Sequence, residues 1–206
     1  MSKLGIIGVL FFGYSMFAAA QNLEITSEQG HRLNETLKYC GWCHGPTGEQ
    51  EVSMAPRLAG QSAQYLQNQI ENFTTHRRDN PNAKNLMWMA VKRLDKDLIP
   101  YVTQFYSEQQ TRPFTNVDEE LVLEGREIYH KGIPSKNVMG CTFCHGPEAK
   151  GLGAFPRLAS QDRYYLIGQL HDWQHGYRAY ADPMPGFAKA LDNHEIKALA
   201  EYLTSL

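Results

Sequence analysis

Cysteine is scarce in this chain, with four in 206 residues, too few for a disulfide-dense scaffold. An excess of one charge is also missing. Twenty Lys and Arg face 22 Asp and Glu, for a formal net charge of −2. There is no basic surplus to neutralise phosphates, which excludes nucleic acid as a partner class. No alternation of apolar and polar residues runs long enough for a half-buried strand. Beyond the N-terminus no stretch approaches the roughly 18 apolar residues that cross a bilayer. Paired carboxylates suited to acid–base work, a Ser–His pair and a Gly-rich phosphate loop are absent too. What is present, 42% hydrophobic and 20% charged residues, is the composition of a folded chain.

Residues 1–20 carry one cation, Lys3, then an apolar run from Leu4 to Phe17 and the small residues Ala18-Ala19-Ala20. That is the pattern of an export signal, with cleavage expected after Ala20. Retention as a membrane anchor is the rival reading. In both cases the remainder is exported, which points to the periplasm.

The rest of the chain reads as one text written twice. Cys40-Gly-Trp-Cys43-His44-Gly-Pro is answered by Cys141-Thr-Phe-Cys144-His145-Gly-Pro at an offset of 101. Pro56-Arg57-Leu58-Ala59-Gly60-Gln61 is answered by Pro156-Arg157-Leu158-Ala159-Ser160-Gln161 at an offset of 100. Tyr65, Leu66, Gln69, Phe73 and Arg78 keep that offset to Tyr165, Leu166, Gln169, Trp173 and Arg178, and Met87, Leu94 and Asp95 meet Met184, Leu191 and Asp192 at 97. Two tandem domains, 21–112 and 113–206, are therefore expected. Their join falls in the polar stretch from Glu108 to Val117.

Each copy reads as helical. Apolar residues recur at three- and four-residue steps over Leu23–Tyr39, Val117–Tyr129, Ser62–Phe73 and Gln161–Trp173. Gly30 and Gly125 interrupt the first two of these in matching places. A glycine inside a helix costs about 1 kcal/mol relative to alanine, so both positions predict a closely crossing helix. Asp95 and Asp192 stand where the N-cap of a last helix belongs. The expected fold class is all-α.

All four cysteines fall in the two C-x-x-C-H motifs. Thiols three positions apart suit thioether bonds to the two vinyl groups of one haem, with the next residue, His44 or His145, as an axial ligand to iron. Three other readings compete. A thioredoxin-like pair needs a βαβ setting, a zinc site needs a fourth ligand, and a structural disulfide leaves the paired histidines unexplained. A methionine sulfur is the expected second axial ligand. Met139 lies too close to Cys141, and Met54 follows His44 by only ten residues. The repeat pairs Met87 with Met184, each seven residues before a Leu-Asp helix start. Met89, aligned with Gly186, is read as a packing residue.

Pro56 and Pro156 follow the histidines by twelve and eleven positions, where a carbonyl could hold the imidazole Nδ1–H and fix the ring. Arg57, Arg78, Arg157 and Arg178 recur in register and are candidates for pairing with haem propionates. Solvated surface arginines are the alternative. His171 and His175 stand four apart without converging carboxylates, and are read as solvent-facing, as are His31, His76, His130 and His194.

With these residues in place the sequence resembles the class I c-type cytochromes, and more closely the di-haem cytochrome c4 family of periplasmic electron carriers. The resemblance covers essentially the whole chain after residue 20. It is carried by CxxCH-G, then P-x-L-A-G-Q-x-x-Y-L, then a methionine ahead of a Leu-Asp-led helix, twice over. It implies two all-α domains about a pseudo-twofold axis, haem propionates near the domain interface, and His44/Met87 and His145/Met184 as axial pairs. The first copy departs from the pattern. His76 replaces the glycine kept as Gly176, the segment from Asp79 to Leu86 is longer, and Trp88 follows Met87 where Pro185 follows Met184.

The expected function is one-electron transfer by two covalently attached haems, without enzymatic activity of its own. Donor and acceptor would be a membrane-bound respiratory oxidoreductase and a terminal acceptor such as an oxidase, with peripheral association at the membrane left open. The alternatives are a haem-bearing subunit of a larger dehydrogenase or oxidase complex, and a di-haem peroxidase-like enzyme. The expected domains carry net charges of 0 and −3, so steering of partners is mild and gives the first domain the advantage with acidic ones.

Overall fold

A computed structural model describes residues 25–52 and 54–206, so the export signal expected over residues 1–20 lies outside the described residues. Among those described the chain is helical, with two isolated β-bridges and no strand. The order is α1 (Ser27–His44), α2 (Ala63–Thr74), α3 (Trp88–Val91), α4 (Ile99–Ser107), α5 (Glu119–Lys131), α6 (Thr142–His145), α7 (Arg163–Gln174), α8 (Met184–Ala190) and α9 (Asn193–Ser205). None of them is long and apolar enough to cross a membrane.

Local chemistry sets the helix ends. Helix α1 starts at Ser27, four residues later than the periodicity predicts, because Thr26 forms a reciprocal cap with Gln29. It runs without a break through the first CxxCH and stops at Gly45, whose φ of +78° suits glycine. In the second copy α5 stops at Gly132, and a loop with the Ile133–Val138 bridge leads to the short α6 that carries the other CxxCH. Ser62 and Asp162 cap α2 and α7 through the backbone N–H of Tyr65 and Tyr165.

Two expectations made equally for both copies hold in full only in the second. Asp192 caps α9 in a full capping box with Glu195. Asp95 caps nothing with its side chain. It starts a 3-10 turn, Lys96–Leu98, while its carboxylate binds Arg32 at 2.5 Å. At Gly125 an added Cβ would overlap the Ala198 carbonyl, so α9 does cross α5 there. A Cβ added at Gly30 would meet nothing within 4 Å among the described residues, so the predicted close crossing is not found there.

The cores follow the same division. In the second half Tyr129, Leu166, Ile196, Leu199, Tyr202 and Leu203 belong to one buried cluster between α5, α7 and α9. The first half has two smaller ones, Leu66 with Leu98, Val102 and Tyr106, and Phe73 with Ala83 and Val91. Each fully buried leucine or isoleucine here, such as Leu98 or Ile196, contributes about 1.5–3 kcal/mol. No helix occupies residues 108–118 between the halves.

Candidate functional site

The two CxxCH histidines are buried at the ends of α1 and α6. His44 Nδ1 lies 3.0 Å from the Pro56 carbonyl, and His145 Nδ1 lies 3.0 Å from the Pro156 carbonyl. A carbonyl can only accept, so each Nδ1 carries the proton and each Nε2 keeps its lone pair. No described residue takes a hydrogen bond from or gives one to either Nε2. Burial lowers both histidine pKa values, with the proline carbonyls opposing it. The result is a pair of neutral, oriented imidazoles. Burial also pushes the Cys40 and Cys141 thiols up to about 11, and none of the four cysteines is paired in a disulfide.

The methionines divide clearly. Met87 packs at the edge of the Phe73, Ala83 and Val91 cluster, at the end of the π-helical turn Ala83–Met87. Met184 opens α8 and is likewise half-buried. Met54, Met89 and Met139 are exposed. Met89 is thus not the packing residue expected of it, because α3 turns it outward at 58% exposure.

The four arginines are not solvated surface residues. Arg78, Arg157 and Arg178 are buried and Arg57 is largely covered. The two Pro-Arg-Leu-Ala loops face each other and cover Arg57 and Arg157, while Arg78 and Arg178 lie against Gln69, Gln169 and Tyr165. The Arg57 N–H donates to Gln161 Oε1 and the Arg157 N–H to Gln61 Oε1, both at 2.8 Å. In return Gln61 Nε2 donates to the Arg157 carbonyl and Gln161 Nε2 to the Arg57 carbonyl, both at 3.0 Å. Deeper in, Arg78 reaches Gln69 and Gln169 at 2.7 Å and the Tyr165 hydroxyl at 2.8 Å, while Arg178 reaches Gln169 at 2.5 Å. The longer segment of the first copy joins this seam. Asp79 accepts the Arg178 N–H at 2.9 Å, and Asn80 donates to Asp172 at 2.8 Å.

Sequence reasoning gave no role to Gln61, Gln161, Gln69 or Gln169. Their register in the repeat was the available signal, since a glutamine kept at the same place in both copies can exchange bonds across a twofold. The histidines outside the motifs form no metal site with carboxylates or cysteines among the described residues. His76, His130, His175 and His194 are exposed as expected; His171 is partly covered, with Nδ1 2.8 Å from Gln174 Oε1.

Several buried polar atoms lack partners, and their chemistry tests whether a haem fits. The Nε atoms of Arg78, Arg157 and Arg178, Trp173 Nε1 and the Tyr180 hydroxyl find no hydrogen bond among the described residues. Burial, aided by the adjacent Arg57 charge, pushes the Arg157 guanidinium down to about 10. Such donors need an acceptor, and a buried arginine needs an anion. Propionate carboxylates answer both requirements, and the free imidazole nitrogens beside paired thiols answer the needs of iron and vinyl groups. The residues fit the group.

Comparison with known proteins agrees. The family model described as "Cytochrome C oxidase, cbb3-type, subunit III" matches residues 121–203. Cytochrome c4 of Thiocapsa roseopersicina is 33% identical over 81% of this chain and 86% of its own. The chain belongs to the cytochrome c4 family. The solved cytochrome c4 of Acidithiobacillus ferrooxidans superposes with a TM-score of 0.76 at 31% identity, over 82% of this chain and 99% of that one. A further relative, named "Thiosulfate dehydrogenase electron acceptor", from Stutzerimonas stutzeri strain A1501, is 30% identical over 98% of this chain and 94% of its own. As a cytochrome c4 the protein is a di-haem, c-type electron-transfer protein of two class I cytochrome c units.

Proposed function

We propose that this cytochrome c4 takes single electrons from a membrane-bound respiratory oxidoreductase and passes them to a terminal acceptor such as an oxidase. It works in the periplasm, after loss of residues 1–20. Its units are 21–112 and 113–206, each holding one haem. Cys40 and Cys43 tether the first and Cys141 and Cys144 the second. His44 with Met87, and His145 with Met184, would hold the two irons, while Arg57, Arg78, Arg157 and Arg178 would supply cations to the propionates. The observation that carries this reading is the pair of buried, neutral histidines, each held at Nδ1 by a proline carbonyl and open at Nε2. Bound haem supplies a reversible one-electron iron couple.

The chain's own contribution is position and environment. The proline carbonyls fix the imidazole planes and raise their basicity as ligands. A soft sulfur on the other side favours the ferrous state. A histidine and a methionine on each iron would leave no position for a substrate, which supports a carrier over an enzyme. The glutamine exchange between the Arg57 and Arg157 loops ties the units into one body and holds their redox centres at a constant separation.

The relative named for accepting electrons from a thiosulfate dehydrogenase supports a second reading, a dedicated acceptor for one dehydrogenase. An intact mass with haem spectra, on protein matured in a host that attaches haem, tests the first reading. Two haem masses, cleavage after Ala20, low-spin spectra and indifference to carbon monoxide are expected. Ready carbon monoxide binding at one iron would sink it. Met87→Ala and Met184→Ala should each open one iron to carbon monoxide.

A further inference from the structure

One exposed face of the first half is apolar at its middle and positive at its rim. Trp42, 76% exposed, stands between Cys40 and Cys43. Its ring centre lies 6.1 Å from that of Tyr39, and the Arg93 guanidinium sits over Tyr39 at 5.7 Å. Leu86 and Met89, 63% and 58% exposed, stand on the π-helical turn Ala83–Met87 and on α3, the segment that leads into Arg93. Single exposed apolar residues mean little, but a joined set with a polar rim marks an interaction site.

The charge around this set is mainly positive; against it stands exposed Glu51, whose backbone N–H bonds the Cys43 carbonyl. Lys92, Arg93 and Lys96 are exposed, and none pairs with a carboxylate among the described residues. The carboxylates nearest in sequence are engaged elsewhere. Asp95 and Asp97 hold Arg32 at 2.5 and 2.6 Å, and Glu35 holds Lys38 at 2.8 Å. The second half lacks the arrangement. Pro183, Gly186 and Ala190 stand where the first half has Leu86, Met89 and Arg93, Gly140 replaces Tyr39, and only Lys189 is kept, opposite Lys92. Phe143 is 79% exposed there but has no cation above it.

We propose that this face docks the redox partner of the first unit, an acidic electron-transfer protein whose contact area is apolar and ringed by carboxylates. The proposal rests on the carrier reading above. Rim cations raise the encounter rate and fix orientation more than they add affinity. Trp42 provides the aromatic anchor that dominates small interfaces, and turnover demands that such an interface stay weak. Other occupants fit less well. Three cations fall short of the four to eight that mark lipid-headgroup clusters, and the whole chain is net negative at −2. A second copy meeting this face by twofold symmetry would bring like charges together. In the transfer one electron leaves the reduced protein, the acceptor is reduced by one, and no proton or atom moves.

The test uses the haem-loaded protein, reduced with dithionite, and oxidised plastocyanin as an acidic blue-copper probe in stopped flow. At low ionic strength the wild-type rate should be high and fall steeply with salt. Lys92→Glu with Arg93→Glu should lower it about tenfold or more and flatten the salt dependence. Trp42→Ala should lower the rate and leave the salt slope unchanged, and Lys189→Glu should change it less than twofold. A double variant as fast as wild type, or an equal loss in Lys189→Glu, overturns the proposal. So does Arg93-dependent binding to phosphatidylserine vesicles with no change in rate, which assigns the face to a membrane. A dimer in sedimentation velocity that Trp42→Ala dissolves assigns it to a second copy and overturns it equally. Reduction by dithionite and reoxidation by neutral benzoquinone report on the carrier reading separately. If those fail the carrier reading is wrong; if they succeed while the plastocyanin rates ignore Lys92 and Arg93, only the docking face is wrong.

Discussion

The two halves share their cofactor motifs and differ in how they are built. The second closes around one core, with α9 laid directly on α5 where Gly125 removes every obstacle. The first has a split core, an open Gly30, and a last helix that begins after a 3-10 turn instead of at a side-chain cap. Its segment leading to Met87 is longer and partly spent on the other half, through Asp79 and Asn80. Identical requirements at the iron therefore tolerate unequal frames. What the halves hold in common is the CxxCH motif with its histidine held by a proline carbonyl, a half-buried methionine, and the seam where they meet.

The largest expected contrast is at the matched glycines. Gly125→Ala forces α5 and α9 apart at the Ala198 carbonyl and should cost at least about 3 kcal/mol. Gly30→Ala meets nothing and should stabilise by up to about 1 kcal/mol. Denaturant titration of both variants checks this, and equal effects would dissolve the contrast. At the seam the halves should behave alike. Gln61→Leu and Gln161→Leu each strand the partner arginine's N–H and carbonyl and should each cost about 2 kcal/mol. A loss confined to one of them would mean that the exchange is not reciprocal in energy.

Acid should not separate the halves either. Both histidines resist protonation when buried, while the unfolded chain takes those protons near the ordinary value of 6.5. The unfolded state then binds more protons, so stability is lost as pH falls below about 6.5, toward the lowered folded values. Urea midpoints of the haem-free chain, in which no iron holds Nε2, should drop across that window. The smallest effect is expected at His76. Its ring stacks on Trp88 at 3.9 Å, and its φ of +60° is one that glycine adopts freely. His76→Gly imitates Gly176, gains backbone ease and loses the stack, so the net change should stay within about 1 kcal/mol. A larger loss would identify the stack as the main support of the segment leading to Met87.

Much of this was legible in residue types at short range. The CxxCH pairs, the recurring Pro-Arg-Leu-Ala-Gly/Ser-Gln run and the three- and four-residue apolar steps led to helices and to two cofactor units. Helix ends were less so, because Thr26 and Gln29 decide the start of α1 by a two-residue exchange that apolar periodicity does not register. The glutamine exchange, the burial of the arginines and the exposure of Met89 were not legible, since each depends on which surfaces meet.

By itself the sequence determined the local chemistry, because a thiol pair, the histidine beside it and a proline eleven or twelve residues on lie within reach of one another along the chain. Only the tertiary structure decided which glycine marks a crossing, which arginines lose their water, and which half presents a charged apolar face. Those outcomes depend on contacts between residues up to about a hundred positions apart. They exist only once two helical units have chosen how to pack against each other.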